Sequence, residues 1–454
     1  MSVNHDVVFV VLDSARKDRV SAFGHGYQTT PAFDRLASES TVYENAFVPA
    51  PWTLPSHCSM FTGRLPSEHG ITNGFTDRNL ELPAEFPTIA EVLSDRGYAT
   101  AGFSNNPWVG KLSGLNRGFD RFVEWDLEIS RSRPATEHRL RDTVYSRLHS
   151  AIGRAAGQPH ALLKRPFFTS NLVERAKRWV ADTEDESSFT FMNLMEAHSP
   201  YYPPDRAFRQ LGLETPGLIE SRILNTRLLA YVMGKTDLSP DDRERVMAYY
   251  DASLRYQDGK LEEFLSVLRS RGLYDDTMIV VCSDHGKTLG DYDRGAMPPH
   301  YVRDINVNVP LLIKWPNQSQ GESVEAPVEL VDLFEAIRDV DDDPGLATHE
   351  EGALCEDYLP HTGRNAANVV RWRILADGSH KYVRSEDGVE FFFERGKDET
   401  QVDLPSAEYH SYRDRLEDRV TTLGTPSEAT SGDATSDDLD GAVEGQLRDL
   451  GYLK

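Results

Sequence analysis

The chain has 454 residues, 39% hydrophobic and 10% aromatic, enough apolar material for a large folded core and too much for a disordered chain. Its net charge is −24, from 73 acidic and 49 basic residues, and this excludes nonspecific nucleic-acid or anionic-membrane binding by the body of the protein. The three cysteines, Cys58, Cys282 and Cys355, are odd in number and far apart, which excludes a disulfide framework and a cysteine-rich zinc site. A balance so acidic, with Arg well ahead of Lys, fits a chain working in concentrated salt, where screening weakens self-repulsion.

The first element is "DVVFVVLD" (6–13), a short apolar run without a basic leader or cleavage site, read as a buried strand and not as a signal peptide. No stretch approaches the roughly 18 apolar residues of a membrane span, so a soluble, cytoplasmic protein is expected. Further strands are predicted at "ATAGFSNN" (99–106), "SFTFMNLM" (188–195), "TMIVVCSD" (277–284) and "VPLLIKWP" (309–316). Helices are predicted between them, at 87–97 and within 240–271. Strands apolar on both faces and separated by helices imply an α/β fold, a mostly parallel sheet covered on both sides. Several of these strands run into polar clusters at their C-terminal ends: Asp13; Asn105 and Asn106; Glu196 and His198; Asp284 and His285. In open α/β sheets that edge is where ligands bind.

Residues 128–165 carry eight basic residues against three acidic ones, with Leu140, Val144, Leu148 and Ile152 at helical spacing. This basic helical insertion reads either as a surface helix packed on the body or as a platform for an anionic substrate, a lipid surface or a partner. After residue 366 the texture changes to short antiparallel strands with a hairpin at "EDG" (386–388). Residues 424–441 are acidic and of low complexity, an expected linker, and 442–454 read as a terminal helix. The expected organisation is thus a catalytic domain over 1–365, a small α+β subdomain over 366–423, the linker and the tail.

The chemistry lies on the rim. Asp13, at the end of a buried strand, reads either as a cap for the following helix or as a metal ligand. Asp284 and His285, adjacent at the end of another strand and followed by Gly286, favour the second reading, because carboxylates and an imidazole from two strand ends are a common ligand set for Zn²⁺, Mn²⁺ or a similar ion. His198 follows a third strand, on a loop stiffened by Pro200, Pro203 and Pro204, and is suited to binding a substrate oxygen or donating a proton. His300 is placed to reach the same rim. Asn105, Asn106 and Lys287 are the candidate substrate-binding residues. In "APWTLPSHCSMFTGR" (50–64) the reactive group is either Thr53 or Cys58.

The order "VLDSARKDR", "APWTLPSH…FTGR", "HSPYYPP", "SDHG" and "VPLLIKWP" resembles the sulfatase family of the alkaline phosphatase superfamily, over roughly 6–400 and the tail. The resemblance implies a three-layer sandwich around a mostly parallel central sheet, with a small C-terminal subdomain. It matches Asp13, Asp284 and His285 to the family's metal ligands, with Ser14 standing where a second aspartate is frequent. It places the nucleophile of the family's Cys-x-Pro-Ser-Arg motif on Thr53, with Pro55 and Ser56 conforming and His57 in place of the arginine. His198 matches a substrate-binding histidine, and "SNNPWVGK" stands where the family's lysine–histidine pair is frequent. Cys58 is off register, so no formylglycine is expected, and it reads as a small apolar helix residue.

The implied catalytic set is Thr53, His57, His198 and His300. One divalent ion (Mn, Mg, Ca or Zn) would be held by Asp13, Thr53, Asp284 and His285. A threonine ester cannot collapse to an aldehyde as a formylglycine adduct does, which turns the expectation toward phosphate esters, with sulfate still open. The expected function is metal-dependent hydrolysis of a small anionic ester through Thr53. The alternatives are phosphoryl transfer on a lipid- or sugar-linked substrate, guided by 128–165, or a non-catalytic anion-binding role.

Overall fold

The computed structural model describes residues 4–72, 80–124, 167–183, 186–232, 235–291, 302–342, 344–358, 371–396 and 399–423. The basic insertion 128–165, His300, the acidic stretch 424–441 and the terminal 442–454 lie outside the described residues.

The run read first in the sequence forms the centre of the molecule. Val7–Leu12 is a strand buried along its whole length, flanked in parallel by Ser188–Leu194 on one side and Met278–Cys282 on the other. Beyond Ser188–Leu194 lie Ala99–Ser104 and Arg121–Glu124, also parallel. On the other side, Leu311–Lys314 enters antiparallel and is followed by Thr41–Tyr43 and Glu322–Val324, completing eight strands. One antiparallel strand in an otherwise parallel sheet is the mixed pattern common in large α/β domains.

Alternate side chains of the central strand feed two cores. Val7, Phe9 and Val11 join Leu54, Phe61, Ile89 and Leu93 on one face. Val8, Val10 and Leu12 join Phe33, Leu172, Leu261 and Phe264 on the other. The first face is covered by helices Thr53–Thr62, Ile89–Asp95 and Leu333–Arg338, the second by Pro31–Ala37, Phe167–Asp182 and the 32-residue helix Pro240–Arg271. This is the three-layer architecture that the alternating sequence predicts. Each buried Val, Leu or Phe contributes on the order of 1.5–3 kcal/mol by leaving water, so the strand that ends in Asp13 is among the firmest parts of the fold.

The C-terminal sheet is antiparallel throughout, in the order Ala353–Asp357, Trp372–Ala376, His380–Ser385, Glu390–Glu394 and Thr400–Gln401, with helix Ala407–Thr422 packed on it. The hairpin at 386–388 is present, with Gly388 in the left-handed region at φ 89°. The sheet begins at Ala353, so the boundary drawn at 365/366 falls inside it. "ALCED" is buried on every residue and reads in sequence like one more strand of the main sheet. Among the described residues no helix is long and apolar enough to cross a membrane.

Candidate active site

Registry brings the polar strand ends together. Leu12 is level with Leu194, Val11 with Cys282, and Ser104 with Asn193, so the residues beyond them meet on one rim. The Asp13 N–H donates to the Leu194 carbonyl at 2.9 Å. Asp13, Asp284 and His285 each offer a ligand atom, all within 4.8 Å of one another, and all three residues are buried.

Asp13 does not act as a cap. Its Oδ1 accepts from Ser14 Oγ at 3.0 Å, and its Oδ2 accepts from Asn106 Nδ2 at 2.7 Å and Asn193 Nδ2 at 3.3 Å. Asp284 Oδ1 accepts the backbone N–H groups of Ser14 at 2.9 Å and His285 at 3.0 Å. Among the described residues its Oδ2 is buried without a hydrogen-bond partner, 3.5 Å from His285 Nε2 and 3.6 Å from His57 Nδ1. A buried carboxylate oxygen left unpaired between another carboxylate and two imidazoles is costly unless a cation completes it. Burial and the charge of Asp13 push Asp284 up to about 7. Burial would raise Asp13 too, but His198, His285 and His57 outweigh it and hold that carboxyl down to about 2. The donor set of two carboxylates, an imidazole and a hydroxyl therefore fits a divalent ion.

His285 is oriented for that role. Its Nδ1–H donates to the Gly286 carbonyl at 2.6 Å, which leaves Nε2 as the lone-pair nitrogen, and Nε2 lies 3.1 Å from Thr53 Oγ1. Thr53 is fully buried and opens helix Thr53–Thr62. The helix starts two residues ahead of Pro55, which therefore sits in the first turn, where a missing N–H leaves no gap. Trp52, not Thr53, occupies the capping position, so the threonine hydroxyl is spent on the site and not on the helix end. The positive end of the helix dipole thus lies at Thr53, beside His285.

The remaining expected residues divide. His57 lies one turn after Thr53, its Nδ1–H donating to the Thr53 carbonyl at 2.9 Å, its ring set edge-on to Phe191, and its Nε2 buried without a partner among the described residues. His198 Nδ1 donates to the Ser199 carbonyl at 2.7 Å, and its ring acts electrostatically on Asp13. Lys287 joins this side, its Nζ donating to Ser199 Oγ at 2.7 Å. Asn105 is buried at the same strand end. Asn106, expected to face substrate, instead holds Asp13, and its Oδ1 accepts the Trp108 N–H at 3.0 Å, so both ends of its amide are committed. Cys58 is fully buried in the core on the helix's inner side, where burial pushes its thiol far up.

Three supporting residues were not foreseen. Asn193, inside an apolar strand, braces Asp13. Ser14 occupies the left-handed region at φ 63°, and this backbone twist aims its N–H at Asp284 while its hydroxyl holds Asp13. The position expected to supply a second aspartate is therefore a brace. Gln257, on the long helix, accepts from the Ala197 N–H at 3.0 Å and donates to the Leu194 carbonyl at 2.9 Å, fixing the loop that leads to His198.

Comparison with known proteins finds relatives of similar fold and sequence. A sulfatase from Formosa agariphila is 23% identical over 427 residues, 87% of this chain and 81% of the relative. An ulvan-active sulfatase from the same organism is 23% identical over 448 residues, 91% and 80% of the two chains. Among solved structures, a phosphonate monoester hydrolase from Silicibacter pomeroyi superposes with a TM-score of 0.68 at 20% identity, covering 92% of this chain and 96% of that one. The family model for Sulfatase matches residues 5–340. With that span and the alkaline phosphatase-like fold in agreement, this chain belongs to the sulfatase family and is a sulfuric or phosphoric ester hydrolase.

Proposed function

We propose that the protein hydrolyses a small anionic ester by a covalent mechanism through Thr53, with one divalent ion held by Asp13, Asp284, His285 and Thr53, and that phosphate esters rank above sulfate esters as substrates. The observation that carries this is the 3.1 Å approach of Thr53 Oγ1 to His285 Nε2 beside the buried Asp284 Oδ2, which has no hydrogen-bond partner among the described residues. A divalent ion held by these residues would supply Lewis-acid stabilisation of the negative charge that develops in ester cleavage.

The side chains supply the rest. Oγ1 gives up its proton to solvent water and attacks the central phosphorus as the bond to the ester oxygen breaks, and the departing alkoxide takes a proton, for which His198 is the candidate donor. Water then attacks the threonyl phosphoester at phosphorus, releasing the phosphorylated product and restoring the hydroxyl. His57 fills the neighbouring helix position and keeps the Thr53 carbonyl engaged. Lys287, beside Ser199, is a cation placed to meet the ester's negative oxygens. The threonine supports phosphate over sulfate, because a threonyl sulfate has no carbonyl-forming route of release and must be displaced by water. With Cys58 buried and off register, no formylglycine takes part.

The test is a paired assay in high salt with aryl phosphate, aryl phosphodiester and aryl sulfate reporters under Mn²⁺, Mg²⁺, Ca²⁺ or Zn²⁺. Metal-dependent phosphoester cleavage that disappears in Thr53→Ala is the expected result. Preferential sulfate cleavage refutes the threonine argument, and no cleavage under any ion refutes the hydrolase reading.

A further inference from the structure

The turn bearing Asp284 and His285 leans on a segment far away in sequence. The Gly286 N–H donates to the Asn306 carbonyl at 2.8 Å, and a methyl group on Gly286 would meet the Ile305 carbonyl oxygen at 1.7 Å. The same segment touches the other half of the site. The Val48 N–H donates to the Val307 carbonyl at 3.0 Å, and Phe47 pairs with Asn308 on the strand leading toward Thr53.

What fixes this segment comes from the C-terminal sheet. Lys381 is fully buried and donates to Asp304 Oδ1 at 3.1 Å and to the Val302 carbonyl at 2.5 Å, with Glu399 as a further ion-pair partner. Arg395 Nε donates to Asp304 Oδ2 at 2.7 Å, and its Nη1 reaches Asn45 Oδ1 at 3.1 Å. Stability alone is a weak reason for such charges, since apolar residues of similar volume are commonly as stabilising. Fixing one backbone arrangement is a role they fill better.

We propose that Lys381 and Arg395, acting through Asp304, are positioning residues for the metal site: they clamp residues 304–308, which set the spacing between the Asp284–His285 turn and the Thr53 helix. The inference rests on the reading of that rim as a metal site. It makes the C-terminal sheet part of the catalytic apparatus without contributing a ligand.

The experiment titrates Mn²⁺ into the full chain by calorimetry and records the visible spectrum of the Co²⁺ form, for wild type, Asp304→Asn, Arg395→Gln and Arg395→Lys, with circular dichroism confirming folding. Loss of an outer partner of this kind costs about 10–100-fold in metal affinity, so Asp304→Asn and Arg395→Gln should bind Mn²⁺ at least about tenfold more weakly and shift the Co²⁺ bands. Arg395→Lys, which keeps a cation beside Asp304, should recover most of the affinity. Should Asp304→Asn fail to fold, Arg395→Gln, at the edge of the cluster, carries the test. Folded variants with wild-type affinity and an unchanged Co²⁺ spectrum overturn the clamp alone. A wild type that binds neither ion overturns the metal reading, and the clamp with it.

Discussion

Replacing Gly286 by alanine perturbs the site through one methyl group. An added Cβ would lie 1.7 Å from the Ile305 carbonyl oxygen, 2.7 Å from the Ile305 carbonyl carbon and 3.0 Å from the Asn306 Cα, all backbone atoms that cannot swing aside. Side-chain carbons do not approach such atoms closer than 3.0 Å, so the contact has to open by more than 1 Å. Either the turn lifts away, breaking the 2.8 Å bond to Asn306, or residues 305–306 retreat against the pairs that hold Asp304. Overpacking of this kind costs about 1–3 kcal/mol, and the lost hydrogen bond about 1 more. Function should suffer more than stability, because His285 and Asp284 immediately precede the moved residue, and a misplacement of about 1 Å costs on the order of 100-fold in rate. The assay is kcat/KM on the preferred ester, with Mn²⁺ affinity and thermal unfolding measured on the same samples. Gly26→Ala is the control, since an added Cβ there meets nothing within 4 Å. A Gly286→Ala protein with turnover and Mn²⁺ affinity within about twofold of the control would show that the turn does not depend on this contact.

Other variants separate chemistry from scaffold. Thr53→Ala should lower phosphoester turnover by about 10³-fold or more, while urea unfolding of the metal-free protein shifts by only about 1 kcal/mol, the worth of the single bond to His285; a residual rate near wild type would remove Thr53 from the mechanism. Cys58 should resist thiol reagents in the native state and react once the protein is unfolded, and Cys58→Ala should retain turnover; peptide mass spectrometry finding an aldehyde at residue 58 would refute the assignment. Burial would raise the Asp304 carboxyl, but Lys381 and Arg395 outweigh it and hold it below the usual carboxylate range. Its folded value therefore lies below its unfolded one, so its contribution is present above about pH 4 and is lost as pH falls through the lower folded value. The stability gap between wild type and Asp304→Asn, followed by urea unfolding, should narrow in that acid window; a gap independent of pH would exclude the ion pairs as its source.

The three residues that could hold a metal ion were legible because each follows a strand apolar on both faces, and such strands align their carboxyl ends. Asp13, Asp284 and His285 needed only that rule. Asn193 was hidden for the same reason: inside "SFTFMNLM" it reads as one more strand residue, and only pairing with Val7–Leu12 turns it toward Asp13. Ser14 was legible as a departure from the family pattern but not as a brace, since no local signal announces a left-handed serine. Asn106 was placed on the right rim and given the wrong partner. A strand-end amide can face ligand or carboxylate, and the 2.7 Å contact with Asp13 decides it. The Asp304–Lys381 pair spans 77 residues and joins the short helix Asp304–Val307 to the C-terminal sheet, so no local pattern encodes it. The start of the C-terminal sheet was misplaced because Ala353–Asp357 has the fully buried character of a central strand.

The fixed tautomer of His285 bears on which ion the site prefers. With Nδ1–H committed to the Gly286 carbonyl, the imidazole always presents the same unprotonated nitrogen to the rim, and no ring flip is needed to load it. That nitrogen distinguishes the candidate ions. Ca²⁺ seeks six to eight oxygens at long distances and gains little from an imidazole, and Mg²⁺ prefers to keep its own waters. Mn²⁺ and Zn²⁺ accept nitrogen and carboxylate together, so in the proposed metal site the hydrogen bond that orients this ring would favour them, and excess Ca²⁺ or Mg²⁺ should displace them only weakly.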